Sequence, residues 1–96
     1  MKIEVSKLKS HPLNDQIYSG NMDIDDLVEN IKKVGLLEPL VVIPSDISGN
    51  YLVLSGNRRL KCLKHLEISH ANVRVINVEK SEIPLIIVSY WEKRLN

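Results

Sequence analysis

Phenylalanine is absent from this 96-residue chain, and tryptophan and cysteine occur once each. With so little aromatic bulk, a core must be built from Leu, Ile and Val, and the length allows one small domain, spanning 1–96. The lone Cys62 has no partner for an internal disulfide. No apolar run reaches the ~20 residues that cross a bilayer, and no signal peptide or targeting motif is visible, so no membrane role and a cytoplasmic location are expected. Metal-ligand spacing is missing too, because His11, His65 and His70 stand apart, without paired cysteines or a helical His pair. Thirteen Lys and Arg against twelve Asp and Glu leave a net charge of +1, which lacks the overall footprint of a dedicated nucleic-acid binder.

Local charge says more than the total. From Asp15 to Glu38 the charges are mostly acidic; from Arg58 to Arg74 they are mostly basic. The basic stretch begins at Val53-Leu54-Ser55-Gly56-Asn57-Arg58-Arg59-Leu60, which has the composition of a strand, a tight turn and a helix. A 3.6-residue period puts Leu60, Cys62, Leu63 and Leu66 on one side and Arg58, Lys61, Lys64 and His65 on the other. Arg59 falls within the apolar stripe. A half-buried guanidinium needs a partner, and an internal carboxylate or carbonyl and a bound anion remain equal alternatives. Because helix N-termini expose unpaired N–H groups, Ser55, Gly56 and Asn57 are candidate backbone donors to a phosphate, with Arg58 and Arg59 supplying charge.

Elsewhere, alternation over Met1 to Leu8 predicts a first strand, and Lys9 to Asp15 a polar loop that leaves His11 exposed. Asp23 is a candidate N-cap for a helix carrying Ile24, Leu27, Val28, Ile31 and Val34, ended by Gly35. Leu40 to Ile43 and Tyr51 to Leu54 flank a loop of turn-forming residues and should pair as a hairpin. Asn72 to Val78 is the next strand. Ser81 is a candidate N-cap for a last helix to about Leu95, although the Leu85-Ile86-Ile87-Val88 run has strand composition.

Three segments resemble the ParB/sulfiredoxin superfamily, specifically the ParB-like N-terminal (ParB-like nuclease) domain: Gly35-Leu36-Leu37-Glu38-Pro39-Leu40, Gly56-Asn57-Arg58-Arg59 and Val73-Arg74-Val75-Ile76. The resemblance tips the last segment to a helix and implies an α+β fold, with a mixed sheet of about four strands and about three helices. It also implies a pocket for a nucleoside triphosphate, CTP or ATP with Mg²⁺, made by Ser55, Gly56, Asn57, Arg58 and Arg59 with Glu38 and Arg94, although Glu38, where relatives carry Gln, is expected to pair with Arg59 or face solvent before it serves a ligand. Relatives carry Glu where Asn57 stands, and Glu and Asn where Tyr90 and Trp91 align, so the family's metal-binding carboxylates are unmatched. The sulfiredoxin turn is Gly-Cys-His-Arg, whose attacking cysteine has no counterpart here.

The implied function is a nucleotide- or phosphate-binding module of a DNA-partition, DNA-processing or transcription-regulatory protein, nucleoid-associated or encoded by a phage or plasmid. Two alternatives stay open: a degenerate domain that binds protein or DNA without nucleotide, and a nuclease or phosphotransferase. No helix-turn-helix segment is recognisable, so specific DNA reading is expected of the full-length protein and only weak, non-specific contact of this domain. Homodimerisation is implied by the family's habit of self-association.

Overall fold

The computed structural model describes residues 1–13, 25–35 and 38–95, with side chains through Tyr90. Strands β1 (Lys2–Glu4) and β2 (Leu8–Ser10) open the chain, separated by a 3₁₀ turn at Val5–Lys7. Helix α1 (Asp25–Val34), strands β3 (Leu40–Pro44) and β4 (Tyr51–Ser55), helix α2 (Asn57–His65), strand β5 (His70–Val75) and helix α3 (Ile83–Leu95) come next. The sheet has the order β1-β5-β3-β4-β2, antiparallel at β1/β5 and β3/β4 and parallel at β5/β3 and β4/β2. The fold is α+β as expected, with five strands among the described residues in place of about four.

The extra strand comes from the first segment, whose alternation belongs to two strands at opposite edges of the sheet. Val5 N–H donates to Ser69 O (2.8 Å), and buried Val5 and Leu8 anchor the passage from one edge to the other. Strand β5 starts two residues earlier than the sequence indicated, because β1 pairs Glu4 with His70. It ends sooner, with Ile76 N–H making a final bond to Val42 O. Ser81 is not the cap of the last helix. A capping box between Glu79 and Glu82 closes a 3₁₀ turn at Lys80–Glu82 that leads into α3. Gly35 ends α1 at φ 76°, as expected. Asp23 and Ile24 lie outside the described residues, and Val34, assigned to the apolar stripe, is exposed at the helix end.

Successive strand residues point to opposite faces, and both faces are covered. Val42 and Val53 join Ile31 of α1 and Leu60, Cys62 and Leu63 of α2 in one core. Ile43 and Leu54 join Ile83 and Ile87 of α3 in the other. The wheel drawn for α2 holds residue by residue, with Leu60, Cys62 and Leu63 buried and Arg58, Lys61, Lys64 and His65 exposed. Burial also raises the Cys62 thiol pKa against the pull of Arg58 and Lys61, so its place is packing. Along α3, Ile87 is 0% exposed and Leu85 71%. Ile87→Ala should therefore cost about 2–5 kcal/mol, and Leu85→Ala no more than about 0.5 kcal/mol, in urea denaturation.

Candidate functional site

The hairpin delivers the turn through an irregularity. Val42 pairs with Val53 and Val41 with Ser55, so Leu54 is one residue extra on β4. Such a bulge bends a strand and re-aims the residues beyond it. Just beyond this one lies Gly56, the N-cap of α2, at φ 103° and ψ 23°. A side chain is disfavoured there by the backbone angle and excluded by space, since a Cβ would collide with Leu40 Cδ2 and lie 3.2 Å from an Arg59 guanidinium nitrogen. Ser55 ends the strand and is buried, and no described side chain caps the helix. Leu60 N–H donates to Gly56 O (2.8 Å), so the amides of Asn57, Arg58 and Arg59 form the N-terminal turn of the helix, at the positive end of its dipole.

Arg59 sits as its wheel position required, with its side chain 18% exposed. Its guanidinium donates to the Glu38 carbonyl oxygen at 3.0 Å, and Glu38 Oε2 lies 3.8 Å away on a side chain that is 83% exposed. The carbonyl is the firm anchor; a contact to so exposed a carboxylate is worth little. Glu38 is thus brought to the turn as an ion-pair partner. Arg58 is exposed beside it. Arg94 lies in the last turn of α3, beyond the described side chains.

The electrostatics run against helix stability. Helix N-termini favour carboxylates, yet the first turn of α2 has no acidic residue and carries two arginines. Asn57 adds a second cost, because its Oδ1 is buried with no hydrogen-bond partner among the described residues. Nothing in the sequence signalled that burial. Cationic side chains and helical N–H groups suit an anion, and the Asn57 oxygen, an acceptor, suits a hydrogen-bond donor carried by the same ligand.

His11, expected to be exposed, is half-buried, and its Nδ1 accepts the Leu13 N–H at 3.1 Å. Burial lowers its pKa. It borders a separate cleft rather than the Gly56 turn.

Residues 1–89 match the family model of the ParB N-terminal domain. A probable chromosome-partitioning protein ParB of Helicobacter pylori is 22% identical over 83 residues, 86% of this chain and 28% of that protein. The chain therefore spans little more than a quarter of that relative. Caulobacter crescentus ParB superposes with a TM-score of 0.84 when complexed with CTP-γ-S (22% identity, all of this chain, 53% of that one). Complexed to the centromeric parS site it gives 0.76 (18% identity, all of this chain, 49% of that one). Sulfiredoxin from Arabidopsis thaliana superposes at 0.67, with 21% identity over 91% of this chain and 94% of that one. At these identities the superpositions establish the shared fold.

Two substitutions separate stability from function at the turn. Gly56→Ala should lower Tm, since both φ and Leu40 oppose a Cβ. Asn57→Leu should raise Tm of the ligand-free protein, because it removes a buried acceptor that costs about 1–3 kcal/mol unpaired. Thermal unfolding followed by circular dichroism reads both, and a lower Tm for Asn57→Leu would contradict the assignment.

Proposed function

The chain belongs to the ParB N-terminal domain family, and on that premise we propose that its Gly56 turn binds the phosphate groups of a nucleoside triphosphate, CTP before ATP. The observation that carries the reading is the inverted charge of α2, with arginines where a helix N-terminus ordinarily favours acids. The N–H groups after Gly56 donate to phosphate oxygens, while Arg59, held by the Glu38 carbonyl, keeps its charge over the turn. Arg58 closes from the solvent side. Arg94 is assigned to the same ligand by its match to the family motif, and the CTP-γ-S complex of the C. crescentus relative supports a cytidine base.

Mg²⁺ enters this reading as an ion carried by the nucleotide's phosphates. Two guanidiniums, a carboxamide and one exposed carboxylate make a poor metal-holding set. The donors at the turn suit retention of a triphosphate better than metal-dependent cleavage, so the reading is a nucleotide-responsive module of a DNA-partition protein, not a nuclease. On the exposed face of α2, Lys61, Lys64 and Arg58 offer a DNA backbone weak, salt-sensitive contacts.

Isothermal titration with CTP, ATP and GTP, each with and without Mg²⁺, tests the proposal. The wild-type chain should bind CTP most tightly, and Arg59→Ala should weaken binding at least about ten-fold, the scale of one charged hydrogen bond. Arg58→Ala, at an exposed position, should weaken it without loss of fold. No heat at millimolar nucleotide, or equal binding by the folded arginine variants, would refute it.

A further inference from the structure

Among the described residues, the sheet face under α3 is open at its hairpin end. A cleft of about 510 Å³ lies there, between the His11–Leu13 segment, the paired ends of β3 and β4, and the chain from Ile76 to Lys80. That volume is within the usual range for small-molecule sites. The cleft is remote from the phosphate turn along the sheet: it meets β4 at Leu52, beside Ile43, whereas Gly56 lies past the opposite end of that strand.

Its chemistry is one-sided. Ile43, Leu52, Ile76 and Ile83 form an apolar floor. The His11 ring lines one wall, and because Nδ1 accepts the Leu13 N–H, the proton of the neutral ring is on Nε2, a donor. Burial keeps that ring neutral by lowering its pKa. Ser45 Oγ accepts the Ile47 N–H at 3.2 Å, so its own proton serves as a further donor. Lys80 and Asp46, both exposed, add an ammonium and a carboxylate to the lining. Donors border an apolar floor, and a ligand that complements both has an apolar body and acceptor oxygens.

We infer that this cleft is a second ligand site, taking a small apolar carboxylic acid whose body lies on the isoleucine and leucine floor and whose carboxylate meets Lys80 and the neighbouring donors. It rests on different residues from the nucleotide reading and stands without it.

Benzoate is a suitable probe, and benzyl alcohol is its uncharged counterpart. In ¹H–¹⁵N spectra of the full chain, benzoate should shift the amides of His11, Leu52, Ile76 and Lys80. It should bind about three- to five-fold tighter than benzyl alcohol, the scale of one partly exposed ion pair. Lys80→Met, at an exposed position, should keep the fold and abolish that advantage. Absence of shifts at tens of millimolar benzoate, shifts confined to Gly56–Arg59, or equal affinity for the alcohol would each overturn the inference.

Discussion

Close packing around Gly56 is the constraint on which the architecture of the site depends. Leu40, from the start of β3, and the Arg59 guanidinium both lie where a side chain at Gly56 would go. The bare backbone lets β3, the β4 bulge and α2 meet in one place, and its left-handed conformation turns the strand into the helix. Neither contact survives if α2 begins a residue earlier or later, so the hydrophobic face of α2 and the seat of Arg59 share one register. Leu60, Cys62 and Leu63 reach the core from the same helix that raises Arg58 and Arg59 at its start.

The turn carries costs that the core offsets. A helix optimised for stability alone would begin with Asp or Glu and leave no buried acceptor unpaired. Here arginines occupy the first turn and Asn57 Oδ1 is buried with no partner among the described residues. Local rules are broken twice at this turn, while the hairpin, the wheel of α2 and the glycine end of α1 obey them. Two such conflicts in one turn are the pattern expected where binding, not folding, sets the residue choice.

Much of this was legible in the chain. The period of α2 gave its buried face and placed Arg59 at the boundary, and turn-forming residues between two apolar runs gave the β3/β4 hairpin. The glycine turn and its arginines were legible from residue type and order. Other features left no trace. Two-residue alternation over Met1–Leu8 is the same whether the segment is one strand or two strands joined by a crossing turn. A bulge at Leu54 has no composition of its own, and Ser81 is the better capping residue by type although the Glu79–Glu82 box wins by reciprocity. The burial of Asn57 and His11 depends on tertiary neighbours that no local pattern names.

The decisive question is where a nucleotide lands. Adding CTP to the ¹⁵N-labelled chain and tracking its amide resonances places the ligand directly, apart from any substitution. Shifts centred on Gly56, Asn57, Arg58 and Arg59, with downfield movement of the amides that hydrogen-bond phosphate, are the expected result. An unchanged turn at saturating CTP, or shifts centred elsewhere on the sheet, would contradict the assignment of the α2 N-terminus as the anion site.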